Sequence, residues 1–191
     1  MSALAYNYNY KDNETIEIIN GVVYMMSRPN TNHMKIEGNI FTAFKNYLKG
    51  KCCVPFNETD VFFSDKDNFV PDVIIVCNPE IIEDDGIHGT PDLVVEILSP
   101  STARRDKIEK FSKYEEYGVK EYWIVSPQDK SVDVYILRDN KFVLDDVYSV
   151  YRDFEWKKLT EDQKAAVKHE IKVSIYDDLY VKLDDIFEYV N

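Results

Sequence analysis

Asp92-Leu93-Val94-Val95-Glu96-Ile97-Leu98-Ser99-Pro100-Ser101-Thr102 is the stretch on which the reading of the chain turns. Leu93 to Leu98 is a β-favouring run of the kind buried inside a sheet, broken only by Glu96. Ser99-Pro100-Ser101-Thr102 punctuates it, and a helix is predicted from there to Tyr117. Its inner face carries Ile108, Phe111, Tyr114 and Tyr117, with Gly118 just past its end. Tyr122 to Ser126 is then a strand, Pro127-Gln128-Asp129-Lys130 a turn, and Val132 to Leu137 an antiparallel partner, since the connection is short.

Outward from this centre the same signals recur. Glu17 to Tyr24 reads as two short strands about Asn20-Gly21, a strong hairpin signal. Pro29-Asn30-Thr31-Asn32 supplies helix caps, and Ile40, Phe41, Phe44, Tyr47 and Leu48 recur at i, i+1, i+4, i+7 and i+8 before Gly50. Strands are predicted at Thr59 to Phe63, Asp72 to Cys77 and Phe142 to Val150. Thr160-x-x-Gln163 is a capping box opening a short helix through about Glu170. Leu179-x-Val181-x-Leu183 precedes a closing turn at Ile186-Phe187. The fold class is α/β (α+β): one mixed sheet flanked by helices, in a single domain over residues 1–191.

The 191 residues include 45% apolar and 30% charged side chains, which excludes a disordered or low-complexity chain. No apolar run approaches the roughly 18 residues of a membrane span. Met1 to Tyr10 lacks the basic residues of a targeting signal, so a cytoplasmic location is expected. Cys52 and Cys53 are adjacent and Cys77 is distant, which predicts reduced structural thiols. With 23 Lys and Arg against 35 Asp and Glu, the net charge is −12, which repels polyanions overall. Arg104 to Lys113 runs against that balance, with Arg104, Arg105, Lys107, Lys110 and Lys113 outnumbering Asp106 and Glu109. Dinucleotide, P-loop, zincin and nucleophile-elbow motifs are absent. His33, His88 and His169 are too scattered for a His-rich metal centre.

The chemistry lies in acids set within apolar strands. A carboxylate buried alone at Glu96 would cost several kcal/mol or neutralise, so it requires compensation. An arginine partner, a strand edge open to water, or a cation would each serve. Asp72 opens a neighbouring candidate strand, also entered through Pro-Asp, and two such acids suit Mg²⁺ or Mn²⁺ with its preference for oxygen ligands. Helical spacing puts Asp106, Lys110 and Tyr114 on one face, so Lys110 either projects over the strand end or pairs with Asp106 at the surface. Asp92 shares a strand face with Glu96 and is either a ligand or a strand starter. Glu37 is read as a solvated helix residue, and Tyr114, Tyr122 and Trp123 as core.

Pro71-Asp72, the run Asp92 to Thr102, and Asp106-x-x-x-Lys110-x-x-x-Tyr114-x-x-x-Gly118-Val119-x-Glu121-Tyr122-Trp123-Ile124-Val125 together resemble the Uma-type restriction endonucleases of the PD-(D/E)xK nuclease superfamily. The likeness extends from Glu17-Ile18-Ile19-Asn20-Gly21, through His33, to Leu183-x-x-Ile186-Phe187. It implies a restriction-endonuclease-like core, Mg²⁺- or Mn²⁺-dependent hydrolysis of DNA, and a homodimer. It also implies that Asp72 and Glu96 hold the metal while a lysine orients or deprotonates the attacking water. Leu98 stands where the plain superfamily pattern has that lysine, and Lys110 on the following helix is the matching position. Glu17 matches a supporting acid. His33 matches a position that contacts the phosphate or caps its helix. Arg104, Arg105, Lys107 and Lys113 would meet the DNA backbone. Against this stand a catalytically inactive module that uses the fold only to bind nucleic acid or protein, favoured by the acidic balance, and a two-carboxylate glycosidase, for which no motif speaks.

Overall fold

The computed structural model describes residues 15–100 and 102–190. The hairpin β1 (Ile16–Ile19) and β2 (Val22–Met25) leads into helix α1 (Thr31–Leu48). Six short strands follow: β3 (Val54–Asn57), β4 (Val61–Ser64), β5 (Asp67–Phe69), β6 (Val73–Val76), β7 (Ile82–Glu83) and β8 (Gly86–Ile87). After β9 (Leu93–Ile97), a π-helical stretch over Arg105–Lys110 runs into α2 (Phe111–Tyr117). Then come β10 (Glu121–Ser126), β11 (Ser131–Arg138), β12 (Lys141–Ser149), α3 (Asp153–Trp156), α4 (Glu161–Ala166), β13 (Glu170–Lys172), β14 (Tyr180–Lys182) and α5 (Leu183–Ile186).

The class is the expected mixed α+β, but the strands divide into two six-stranded sheets and a two-stranded ribbon. One sheet has the order β12-β11-β10-β9-β6-β3, the other β2-β1-β5-β4-β8-β7. The second sheet grows from tight local hairpins: two residues separate β4 from β5 and β7 from β8, too few for either strand to cross to the first sheet. In the first sheet β9 and β10 run parallel, joined over one face by the helical segment.

Alternation sorts the central strands into two layers. Val73, Ile75, Leu93, Val95, Ile97, Trp123 and Val125 face α1, where Ile36, Ile40, Phe44 and Leu48 form the inner stripe. Ile74, Val94, Tyr122 and Ile124 face the other way and meet Tyr114 of α2 with Val61, Phe69 and Ile87 of the second sheet. At the first hairpin Asn20 (φ 52°) and Gly21 (φ 77°) both take the left-handed conformation that a two-residue turn requires. Gly118 (φ 82°) ends α2 as expected, and its amide reaches the carbonyls of Glu115 and Tyr114.

Four expectations are corrected. Ile108 does not face inward. It is 54% exposed, because Asp106, Lys110 and Tyr114, spaced i, i+4, i+8, take the inner face and leave Ile108 on the opposite side. Glu37 is buried, and its carboxylate accepts from the Asn57 side chain at 2.8 Å, since β3 packs against α1. The Thr160 capping box is present, with Gln163, but the helix stops at Ala166 and Glu170 belongs to the β13–β14 ribbon. The thiols are not all reduced: Cys53 and Cys77 form a disulfide. Val54 pairs with Val76, so Cys53 and Cys77 stand opposite one another one step beyond the ladder, a juxtaposition that sequence spacing does not display. Cys52 remains free and exposed.

Candidate active site

The antiparallel register of β6 and β9 pairs Val73 with Val95, which puts Asp72 opposite Glu96 one step further on. Both lie on the face turned toward the π stretch and the second sheet. Glu96 is buried, and its Oε1 accepts from the Lys110 ammonium at 2.7 Å and the Tyr114 hydroxyl at 2.6 Å. Among the described residues no donor reaches its Oε2. Asp72 is held at both oxygens: His33 Nε2 lies 2.9 Å from Oδ1, and the Ile97 amide donates to Oδ2 at 2.5 Å.

Glu17 enters from β1 of the second sheet. Its Oε1 accepts from Lys110 at 2.6 Å and from the Val70 amide at 3.1 Å, while Oε2 takes the Arg105 guanidinium at 3.1 Å. Asp106, one turn before Lys110, lies 3.8 Å from the same ammonium. The helical spacing thus does put Asp106, Lys110 and Tyr114 on one inner face, and Lys110, only 1% exposed, is no surface lysine.

Four carboxylates, Glu17, Asp72, Glu96 and Asp106, therefore share one enclosure with two permanent cations, Lys110 and Arg105. The imbalance shows in the titration of the buried groups. Burial pushes Glu96 well above the ordinary carboxylate range; Lys110 opposes this, while Asp106, Asp72 and Glu17 add to it. Asp106 is pushed up to about 6 by burial, again against the pull of Lys110. Burial alone would lower Lys110, but Glu17, Glu96 and Asp106 outweigh it and keep the ammonium charged. Asp72 and Glu96, set opposite one another by the β6–β9 register, are the oxygen ligands that could hold a divalent cation of the Mg²⁺ or Mn²⁺ kind.

The remaining candidates separate. His33, in the first turn of α1, joins the site through Asp72; burial tends to lower its pKa, but the hydrogen bond and charge of Asp72 raise it on balance. Its Nδ1 is buried without a partner. Asp92 stands apart, since its carboxylate caps the Cys77 amide at 2.7 Å and pairs with Lys120 at 2.7 Å. Of the cations expected to meet DNA, Arg105 is spent on Glu17, and Lys113 on Asp67 and Glu116. Arg104, with its side chain 82% exposed, and Lys107 face solvent.

Sequence reading missed the bond from Tyr114 to Glu96; the i, i+4 step from Lys110 was its only signal. It also missed Glu83, Asp85 and His88, whose ligand atoms lie within 4.8 Å of one another around the β7–β8 turn. Those two acids are exposed, so water can satisfy them without a cation.

Residues 4–160 match the family model described as "Uma2: Putative restriction endonuclease". An uncharacterized protein of Synechocystis sp. is 30% identical over 133 residues, which are 68% of this chain and 70% of that one. A crystal structure from Anabaena variabilis, described as a "putative nuclease belonging to DUF820", superposes with a TM-score of 0.69 at 19% identity. That match covers 92% of this chain and 91% of the other. No helix among the described residues is long and apolar enough to cross a membrane.

Proposed function

The chain belongs to the Uma2 family, and from that membership together with its buried carboxylates we propose that it hydrolyses phosphodiester bonds in DNA with the aid of Mg²⁺ or Mn²⁺. The observation that carries the reading is the pairing of Asp72 with Glu96 across β6 and β9, beside Lys110, in an enclosure with more carboxylates than cations. When bound, a divalent ion there would supply Lewis acidity and neutralise charge gathering on a phosphate.

The protein groups prepare that chemistry. Asp72 and Glu96 would hold the ion. His33 and the Ile97 amide fix the two oxygens of Asp72, so the carboxylate is oriented before anything binds. Lys110, wedged between Glu17 and Glu96, acts as a fixed positive charge toward the reacting phosphate and keeps the two acids from repelling. Arg104 and Lys107 offer phosphate contacts on the outer side of the same helical turn.

A second reading, a nucleic-acid or protein binding module without catalysis, draws support from the loss of Arg105 and Lys113 to internal ion pairs and from the net charge of −12. Incubation of supercoiled plasmid with the chain in Mn²⁺ separates the two. Nicking by the native chain and none by Asp72→Asn is expected. Equal inertness of both, with DNA still retarded in a gel, would leave only the binding module.

A further inference from the structure

Among the described residues, the two donors that reach Glu96 converge on one oxygen. Lys110 Nζ and the Tyr114 hydroxyl lie 2.7 and 2.6 Å from Oε1, and all three side chains are buried. Resting on the nuclease reading above, we propose that Tyr114 is a positioning residue that locks the Glu96 carboxylate with Oε2 as the one oxygen presented to a divalent cation. Without the hydroxyl, the carboxylate has a single anchor, Lys110, which is shared with Glu17, and it can rotate to spread both oxygens around that ammonium. With the hydroxyl in place Oε1 is claimed from two directions, and rotation would strand a buried donor.

The tyrosine ring is itself immobile. It packs edge-on against Phe69 with centroids 5.5 Å apart and lies 5.1 Å from Tyr122, so the hydroxyl is delivered by a rigid aromatic layer. Removing the oxygen alone leaves that layer filled.

Tyr114→Phe tests the idea, with Tyr122→Phe as its comparison, since the equally buried Tyr122 hydroxyl donates to the Asp106 carbonyl at 3.0 Å and not to Glu96. Mn²⁺ affinity is read by paramagnetic resonance of the free ion, and nicking rate is followed against Mn²⁺ concentration. Tyr114→Phe is expected to weaken Mn²⁺ binding about 10- to 100-fold, the usual scale for an outer-shell partner of a metal ligand, with the rate deficit shrinking as Mn²⁺ is raised. Tyr122→Phe should bind Mn²⁺ as the native chain does. Equal Mn²⁺ affinity in Tyr114→Phe and the native chain would overturn the proposal, as would an equal weakening in both variants, which would mark general loosening of the core. If the native chain itself binds no Mn²⁺, the nuclease reading fails first and this inference falls with it.

Discussion

Lys110 carries its charge where water does not reach it, only 1% exposed. A lysine out of water between Glu17 and Glu96 cannot be removed cheaply, because Glu96 would be left buried without a cation and Glu17 would keep only Arg105. Lys110→Met is therefore expected to lose about 3–5 kcal/mol in urea unfolding, and adding Glu17→Gln and Glu96→Gln should restore part of it. No loss in the single variant would mean that the acids are already neutral and the ammonium idle. The inward face of Asp106, Lys110 and Tyr114 was legible from helical spacing. That the lysine would find a second acid on β1 was not, since Glu17 lies far upstream of Lys110 in the chain and nothing local links them. Glu37 was misread for a related reason: a polar residue on an amphipathic helix looks solvated until the strand beside it supplies Asn57.

At the level of elements, the helical stretch after β9 turns Asp106 and Lys110 toward the site and Ile108 away from it. Ile108 stands outside, so Ile108→Ser is expected to change stability by no more than about 0.5 kcal/mol, whereas a core isoleucine would cost several times that. Thermal melts of the variant check the register directly. Asp67, on β5, ties three elements together: its carboxylate accepts from the Asn20 amide at 2.7 Å, the Tyr117 hydroxyl at 2.6 Å and the Lys113 ammonium at 3.2 Å. Burial pushes its pKa up, but Tyr117, Asn20 and Lys113 outweigh it and hold it below the ordinary value. A carboxylate whose folded pKa is depressed contributes stability above its unfolded value and loses it as pH falls through the folded one. Asp67→Asn should thus cost about 1.5–3 kcal/mol near neutral pH, with the gap to the native chain closing below about pH 4. A gap independent of pH would assign the loss to packing alone. Helices, hairpins and the two central strands could be read from periodicity and turn residues. The π turn could not, because its signature is a hydrogen-bond shift with no residue type attached.

For the whole molecule, charge and cross-linking are the properties that solution measurements reach. Of the four candidate DNA contacts, Lys107 and Arg104 are the exposed ones, Arg104 held only by a 3.9 Å surface pair with Glu109, so Arg104→Ala with Lys107→Ala should flatten the dependence of log affinity on log salt by about 1.8 units. Arg105→Ala should instead weaken the fold through Glu17. An unchanged slope in the double variant would move the DNA path to another face. The Cys53–Cys77 disulfide closes a segment with a sequence separation of 24, a constraint worth about 3 kcal/mol of stability. Melting in the presence of a reductant should lower the midpoint of the native chain and leave Cys53→Ser with Cys77→Ser unaffected. The architecture was legible as a class, whereas the split into two sheets and this bridge both depend on which strands become neighbours across long separations.

The distance in sequence between Glu17 and its cations also has a meaning in time. At roughly 5–20 residues per second of synthesis, the 88 positions from Glu17 to Arg105 take on the order of 4–18 s to appear. By the end of that interval Glu17, Asp72 and Glu96 have been made while Arg105 and Lys110 have not, so Glu17 and Glu96 are still without the cations that pair with them in the fold. A nascent chain paused before its helix is therefore an open clasp. The enclosure can close only after the helical segment that carries Arg105 and Lys110 has emerged, because those two side chains are its cations.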